Sequence, residues 1–401
     1  MLFLIPLALA QSPTDLADEA VSNHPGLEAK ASQTRRLEAL AAVSDLWPDP
    51  MLGFEYSNMA VDAPLPGNHP MSGVQFKATQ MLPAPGTTAL RAEVAQGRVE
   101  ISEAMEREAE LRLRKQVEQT WWRLALSRAM EAVTEAHLER TEELVAAVRS
   151  QYETGSAGQS ALLRLQLLSD RLADDLGDYE RVDVELSAAL AAALSRPEAR
   201  FETPETLDAA PLDGTVEDWL AQALDSRPEL ARLDWVAANE RRSAELAKVE
   251  GRPDPTLWAG YRVRTQDMDG TDLVSLGVSL PIPVHSGRRA EGIAAAHLEA
   301  ASAAEAEREA AIDGLEASLR RAHARWQRAL DKELTYEEVL LPAAEATLET
   351  TLSDYRVGKT DFASLYDAEV GLLMLERARL TAVAETRIQA AEVRALTGGS
   401  P

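Results

Sequence analysis

Residues 87–152 read TTALRAEVAQGRVEISEAMEREAELRLRKQVEQTWWRLALSRAMEAVTEAHLERTEELVAAVRSQY, without a proline and with one glycine, Gly97. Alanine, leucine, glutamate and arginine dominate this stretch, and all four favour the helix. A continuous helix over these residues would be about 100 Å long, because each residue adds roughly 1.5 Å along the axis. Such a helix is too long for a globular domain, so the sequence predicts a tube or a rod.

A short turn and a second helical stretch follow. The turn at 155–158, Gly-Ser-Ala-Gly, favours chain reversal because glycine adopts positive φ without a steric penalty from Cβ. Residues 160–195 then predict a returning helix, so that a long helical hairpin spans about 87–195. Four leucines of the return have the spacing of a coiled-coil seam: Leu162, Leu165, Leu172 and Leu176.

The same features recur later in the chain. Four landmarks that contain proline or glycine return in the same order at an offset of roughly two hundred residues. The pairs are Pro25-Gly26-Leu27 with Pro228-Glu229-Leu230, Pro48-Asp49-Pro50 with Pro253-Asp254-Pro255, Leu82-Pro83-Ala84-Pro85 with Leu280-Pro281-Ile282-Pro283, and Tyr152-Glu153-Thr154-Gly155 with Tyr355-Arg356-Val357-Gly358. Four matches in register indicate the tandem duplication of one structural unit. The predicted first repeat covers 11–196, a Pro- and acid-rich linker covers 197–215, and the second repeat covers 216–401.

Each repeat is predicted to contain the same elements in the same order. An opening helix, at 16–43 and again at 219–249, is interrupted near its start by proline. A strand pair follows, at about 51–82 and again at about 256–281. The second repeat closes with a long helical hairpin at about 288–397.

The second hairpin differs from the first by a proline. Pro342 is predicted to kink the outgoing helix at about Leu341, since proline removes a helical hydrogen bond and crowds the preceding turn. The turn is predicted at Gly358-Lys359. On the return helix the predicted seam consists of Leu365, Ala368, Leu372 and Leu375.

The strands are predicted from alternating apolar and polar residues. The alternating apolar positions are Leu52, Phe54, Tyr56, Val74, Phe76, Ala78, Leu257, Ala259, Tyr261, Val263, Val274, Leu276, Val278 and Leu280. This pattern is typical of membrane β-barrel strands and also of a soluble hairpin with one wet face. Four strands cannot close a barrel with a lumen, and lipid does not tolerate open edges. If the strands span a membrane, several chains must pool them.

Composition excludes several classes of function. A formal net charge of −25 argues against a nucleic-acid partner, because phosphate binding requires clustered lysine and arginine. The absence of cysteine excludes disulfides and thiolate metal sites. The six histidines are scattered, and the sequence contains neither a His-Glu-x-x-His motif nor a glycine-rich phosphate loop. The sequence therefore predicts no enzyme activity, no metal site and no cofactor.

Residues 1–10 form a short apolar run that ends in Ala8-Leu9-Ala10. This pattern predicts a secretory signal peptide that is cleaved after Ala10. No later stretch of the sequence reaches the roughly twenty apolar residues of a membrane helix. Any membrane-spanning part is therefore expected to consist of β-strands.

The sequence resembles the TolC family of outer membrane efflux channels. The shared features are short strands, very long helical hairpins, a duplication and a secretory signal. The resemblance covers nearly the whole chain after the signal, and its most specific stretch is LPAAEATLETTLSDYRVGKTDFASLYDAE at 341–369. It implies a mainly helical, trimeric channel: four strands per chain form a twelve-stranded outer membrane β-barrel, continued by a long periplasmic α-helical barrel. It also implies passive export from periplasm to exterior. The implied partners are two further copies of the chain, a periplasmic adaptor (membrane fusion) protein, an inner-membrane efflux pump and outer membrane lipid.

The resemblance also implies a periplasmic gate. By motif position, the gate tyrosine falls on Tyr355 and the inner aspartate on Asp367. The outer acidic position falls on Ser364, so one of two acidic rings is missing. The basic tether position falls on Thr360 and its acidic partner on Ala161. Closure by a charged tether is therefore not expected, and ionic gating is expected to be weak.

The hairpin tips are the adaptor-docking residues that the resemblance implies. They are Gly155, Ser156, Ala157, Gly158, Gly358, Lys359 and Thr360. Turn chemistry alone also accounts for the glycines, and the two explanations are compatible.

Two features bear on the substrate. Thioether and imidazole groups crowd the first strand pair, and such groups suit soft metals, although methionine also fills apolar surfaces. These residues are Met51, Met59, His69, Met71 and Met81. Separately, the stretches DPMLGF at 49–54 and QMLPAPG at 80–86 resemble the heavy-metal-export branch of the family, which makes heavy-metal cations a candidate substrate. The alternative is a periplasmic coiled-coil adaptor or scaffold without a barrel, which would leave the two amphipathic strand pairs unexplained.

Overall fold

The structure is a computed structural model that describes residues 12–58, 61–62, 72–155, 158–197, 199–264 and 272–399. The predicted signal peptide at 1–10 lies outside the described residues. The chain forms two compact units, each assembled from separate segments. Unit 1 comprises Met1–Ala29, Glu106–Pro228 and Ala311–Pro401, and unit 2 comprises Lys30–Met105 and Glu229–Ala310. Each unit therefore draws on both sequence repeats.

Helices account for most of the described residues. The α-helices are α1 (Pro13–Asn23), α2 (Pro25–Ala41), α3 (Thr87–Glu153), α4 (Gln159–Ala193), α5 (Val216–Ser226), α6 (Pro228–Glu250), α7 (Ser286–Thr335), α8 (Leu341–Arg356) and α9 (Phe362–Leu396). The strands are β1 (Met51–Ser57), β2 (Gly73–Met81), β3 (Thr256–Arg264) and β4 (Leu273–Ser279). None of the helices in the described ranges is long and apolar enough to cross a membrane.

Proline divides the opening helix of each repeat at the same place. His24, between α1 and α2, has φ −73° and ψ 119°, and Arg227, between α5 and α6, has φ −75° and ψ 119°. Each residue precedes a proline, whose ring excludes the α conformation for its predecessor. Because proline lacks an N–H group, it is well placed as the first residue of the next helix.

The four strands form one antiparallel sheet in the order β1-β2-β3-β4. The register places Phe54 opposite Phe76, Phe76 opposite Tyr261, and Tyr261 opposite Val274. Since paired residues share a face, one face of the sheet is apolar across all four strands. This apolar face consists of Leu52, Phe54, Tyr56, Val74, Phe76, Ala78, Leu257, Ala259, Tyr261, Val263, Val274, Leu276 and Val278.

The apolar face is exposed rather than packed on a core. Leu52 is 88% exposed and Leu276 is 77% exposed. The four predicted strands are confirmed, although β4 ends at Ser279, one residue before the predicted Leu280. The opposite face carries Met51 and Met81, which are also exposed; Met59, His69 and Met71 lie outside the described residues.

The predicted kink at Pro342 is present as a widened helical turn. Residues Tyr336–Leu340 form a π-helix between α7 and α8, and the Leu341 N–H donates to the Tyr336 carbonyl five residues earlier. Pro342 cannot donate to the Glu338 carbonyl, and its ring would collide with that carbonyl in a regular helix. The extra residue in the π-turn relieves this collision while the helix continues.

Two paired tryptophans anchor the core of unit 1. Trp121 and Trp122 on α3 are 3% and 8% exposed, and their rings meet edge to face at 4.7 Å between centroids. Leu16 of α1, Leu190 of α4 and Val383 of α9 belong to the same cluster. These tryptophans therefore fill space between the helices of unit 1.

Candidate functional site at the hairpin tips

The two hairpin turns of unit 1 use glycine for the same backbone conformation. Gly155 has φ +76° and Gly358 has φ +73°, values that a residue with a Cβ rarely adopts. At the second turn, the Gly358 N–H donates to the Tyr355 carbonyl and the Lys359 N–H donates to the Asp354 carbonyl. These bonds satisfy carbonyls that the end of α8 would otherwise leave open.

The other tip residues have ordinary conformations. Gly158 is the N-cap of α4 with φ −81°, so the expectation that both glycines of this turn supply positive φ is wrong for Gly158. Lys359 is exposed and Thr360 is half-buried. Ser156 and Ala157 lie outside the described residues.

Aromatic residues of the second hairpin pack on the first. The rings of Tyr355 and Phe362 lie 6.3 Å apart between centroids, and Phe362 and Tyr366 lie 6.2 Å apart. All three contact a small cluster of the first hairpin formed by Val148, Ala161 and Leu165. Ala161, the position at which the resemblance implies an acidic tether partner, is thus a buried packing residue.

Tyr355 also makes a polar link between the hairpins. Its hydroxyl donates to Gln151 Oε1 at 2.9 Å. Burial disfavours the charged phenolate and raises the pKa of Tyr355, so the hydroxyl keeps its proton and acts as a donor. The tether that joins the two tips within this chain is therefore neutral.

The two other predicted gate positions differ in role. Ser364 sits in the first turn of α9, where its N–H and hydroxyl donate to Asp361 Oδ1 at 2.9 and 2.7 Å. These bonds lower the pKa of Asp361, the N-cap residue. Asp367 is exposed on the next turn of the same helix. Ser364 thus belongs to a helix cap, while the Asp367 side chain is exposed.

Sequence inspection missed a buried polar cluster between α3 and α9. His137 is 1% exposed, and its Nδ1 lies 2.6 Å from Glu369 Oε1 while its Nε2 lies 2.7 Å from Glu376 Oε2. Glu369 is 2% exposed, and Arg140 Nη1 lies 3.4 Å from both of its oxygens. We call His137, Glu369 and Glu376 the histidine cluster.

The seam spacing contains the signal that could have found this cluster. Thr134, His137 and Thr141 are buried on α3 at intervals of three and four residues. On α9 the buried residues include Leu365, Glu369 and Leu372, and the predicted seam residue Ala368 is half-buried and packs against Leu365 and Leu372. Polar residues at seam positions would have indicated a partner on the facing helix.

A third polar link connects α9 to α4 beside the histidine cluster. Arg377 Nη2 lies 2.7 Å from Asp175 Oδ2 of α4 and 2.8 Å from the Thr134 hydroxyl of α3. One guanidinium group therefore joins three helices. Together with the histidine cluster, it places ionic contacts between the two hairpins above the aromatic tip.

Comparison with known proteins shows what the chain is similar to. Residues 219–399 match the family model described as outer membrane efflux protein. The fold matches that of CusC with a TM-score of 0.81 at 17% sequence identity, covering 97% of this chain and 92% of CusC. The second repeat of the chain thus matches the outer membrane efflux protein family. This similarity supports a location in the outer membrane, extending into the periplasm, and a role as the channel component of an efflux system.

Other outer membrane efflux family structures share the fold. The outer membrane protein VceC from Vibrio cholerae has a TM-score of 0.79 at 17% identity, with 97% of this chain and 96% of that chain covered. The MtrE outer membrane channel of Neisseria gonorrhoeae has a TM-score of 0.75 at 16% identity, with 96% and 89% covered. No curated protein sequence gives a significant match to the chain.

Proposed function

We propose that three copies of this chain form the outer membrane channel of a tripartite efflux system. One observation supports this most strongly: a four-stranded sheet with an apolar, exposed face and open edges at β1 and β4. An exposed apolar face is unfavourable in water and favourable against lipid. Open edges cannot remain unpaired in lipid, and twelve pooled strands close a barrel wide enough for a lumen.

The helical hairpins supply the periplasmic part of the proposed channel. A periplasmic adaptor docks at the tips, at Gly155, Gly158, Gly358, Lys359 and Thr360, together with Ser156 and Ala157 of the first turn. The inner-membrane pump then delivers substrate to the adaptor, and the channel conducts it passively to the exterior. The exposed Lys359 and the compact glycine turns favour this contact surface.

The mass and extraction behaviour of the protein test the proposal. Light scattering of the detergent-extracted protein, with the detergent contribution subtracted, is expected to give a trimer. Membranes washed with carbonate are expected to retain the protein. A monomer that leaves the membrane with carbonate would overturn the channel and favour the periplasmic scaffold instead.

The proposed gate rests on Tyr355 and Asp367, with Ser364 replacing a second acidic ring by a helix cap. Three exposed Asp367 carboxylates around one axis would attract cations and give a cation-dependent block. Asp367→Ala is expected to raise single-channel conductance and to weaken block by divalent cations in planar bilayers. Asp367→Glu keeps the charge and should show the conductance and cation block of the wild type. If Asp367→Ala also shows wild-type conductance and block, the gate assignment is wrong.

Heavy-metal cations are the substrate class that we propose, on the strength of the stretches at 49–54 and 80–86. A strain that lacks the protein should then become sensitive to soft metal salts such as Cu(I) or Ag(I), and not to apolar antibiotics. The reverse pattern would remove the metal assignment and leave the channel proposal intact.

A further inference from the structure

The two contacts of the His137 ring determine how many protons the histidine cluster holds. Neutral imidazole has one N–H donor and one bare nitrogen, and it can bond only one carboxylate. Both ring nitrogens of His137 lie within 2.7 Å of a carboxylate oxygen. Without an added proton, one of these contacts would bring two lone pairs together. The observed arrangement therefore holds one proton more than a neutral imidazole and two carboxylates.

The charges of the histidine cluster and its nearest partners on α3, α4 and α9 balance only when that proton is present. Three cations and three anions meet here from α3, α4 and α9: His137, Arg140, Arg377, Asp175, Glu369 and Glu376. Two further carboxylates nearby pair with Arg379 of α9. Glu337 of the π-helix lies 3.2 Å from Arg379, and Glu333 of α7 lies 3.6 Å from it. Loss of the imidazole proton would leave an uncompensated negative charge at a buried site, which is unfavourable.

We propose that His137, Glu369 and Glu376 form a proton-dependent latch that fastens α3 of the first hairpin to α9 of the second. The two helices belong to different repeats, and His137 and Glu369 are 232 positions apart in the sequence. Any movement of one hairpin past the other must break these contacts. The latch is a regulatory device added to the channel, and it does not depend on which substrate the channel carries.

The direction of the pH dependence follows from the neighbours of His137. Burial opposes the charged imidazolium, but hydrogen bonds to Glu369 and Glu376 and their charges outweigh burial and raise the pKa of His137 above 6.5. Because this pKa is raised in the folded state, protonated His137 stabilises the folded state fully below about pH 6.5. The stabilisation is lost as pH rises through the raised pKa. The latch is therefore fastened in mild acid and released in alkali.

A histidine titration tests the proton count directly. In the full-length protein labelled with ¹³C-histidine, the His137 resonance is expected to titrate above pH 6.5. Glu376→Gln removes one charge and should lower that midpoint by about one pH unit or more. His297, which lies 2.6 Å from Glu240 in unit 2 and is about one-third exposed, is the matched reference. Titration of His137 at or below pH 6.5 would overturn the proposal.

A distance measurement tests the latch itself. The chain has no cysteine, so spin labels would attach only at two introduced cysteines, Ala147→Cys on α3 and Lys359→Cys at the second tip. Both positions are exposed, and dilution with unlabelled chains keeps one labelled pair per assembly. We expect the distance distribution measured by double electron–electron resonance to broaden and shift between pH 6 and pH 9.

Glu376→Gln separates the latch from general alkaline loosening. The glutamine amide can donate to a neutral His137 nitrogen while the other ring N–H donates to Glu369, so this variant should stay fastened at pH 9. His297→Gln should shift with pH as the parent does. An unchanged distribution in the parent, or the same shift in Glu376→Gln, would overturn the latch. Neither result depends on whether the protein proves trimeric or resistant to carbonate, so the two proposals fail separately.

Discussion

The two outgoing helices of the hairpins reach equivalent glycine turns by different routes. In the first hairpin, α3 runs for 67 residues without a break. In the second hairpin, the outgoing helix consists of three parts: α7 with 50 residues, a π-turn of 5 residues and α8 with 16 residues. At a comparable distance from the turn, α3 carries the buried His137 and the second path carries Pro342. One helix is thus held by a buried polar contact, while the other contains a built-in irregularity.

Helix α9 contacts both of these places within one helical turn. Glu376 bonds His137 of α3, and Arg379 pairs with Glu337 of the π-turn at 3.2 Å. The returning helix of the second hairpin thus contacts both outgoing helices, the first through Glu376 and the second through Arg379. Changes to the continuous helix are therefore expected to cost more than changes to the one that is already interrupted.

The largest effect is expected from a proline placed in α3. Glu139 is exposed in the helix interior, and Glu139→Pro removes a backbone bond and crowds the preceding turn. The cost is about 3 kcal/mol or more, because α3 has no π-turn to absorb the ring. Thermal unfolding followed by circular dichroism should show a lower Tm. Glu139→Ala is the control and should leave Tm unchanged; equal Tm values for both variants would refute the distinction between the helices.

A smaller, pH-dependent effect is expected at the π-turn. Glu333 is 6% exposed, and burial, followed by the hydrogen bond and charge of Glu337, raises its pKa to about 7 from 4.5. A raised carboxyl pKa in the folded state means that stability is lost as pH rises through about 7. Glu333→Gln cannot ionise, so its free energy of unfolding should exceed that of the parent at pH 8 by an amount on the order of 1–3 kcal/mol and match it at pH 4. Thermal unfolding should therefore show a higher Tm for the variant at pH 8 and equal Tm values at pH 4.

Glu338→Gln provides the control for that measurement. Glu338 lies in the same π-turn and is exposed, so its replacement should leave the pH profile of the parent unchanged. If both glutamine variants flatten the profile equally, general surface charge and not the buried carboxyl is responsible.

The smallest effect is expected from Pro342→Ala. Reversion of the π-turn to an α-turn would rotate α8 by about 100° and shift it by roughly 1.5 Å. That motion would break the Tyr355–Gln151 bond and withdraw Leu348 from Leu365. The π-turn should therefore persist, with a stability change within about 1 kcal/mol. Spin-label distances at the second tip check this; a rotated tip would show that proline alone maintains the irregularity.

Local patterns were enough to predict much of this fold. The proline-free run at 87–152, the alternation in the strands and the pre-proline breaks each depend on a few neighbouring residues. The family resemblance also led to Tyr355, which does join the two tips within the chain. The four strands and their apolar sides were likewise predicted from period-two spacing.

The features that could not be predicted depend on distant partners. Glu369 resembles any helix-surface carboxylate until His137 is placed against it from 232 positions away. The predicted seam included Ala368, which does pack against Leu365 and Leu372, but it omitted the buried Glu369 because it was traced through apolar residues. At Pro342 the sequence predicted a kink, but the choice of a π-turn depends on contacts that hold the tip in register, including Leu348 with Leu365.

The open edges of the sheet have a consequence for how the channel matures. A lone chain presents β1 and β4 as free templates beside an exposed apolar face, and such edges pair with any available strand. Assembly of the proposed trimer would then compete with open-ended pairing, and the balance would depend steeply on the concentration of unassembled chains. The yield of channels would therefore depend on the rate of synthesis of the chain and on any chaperone that covers the apolar face.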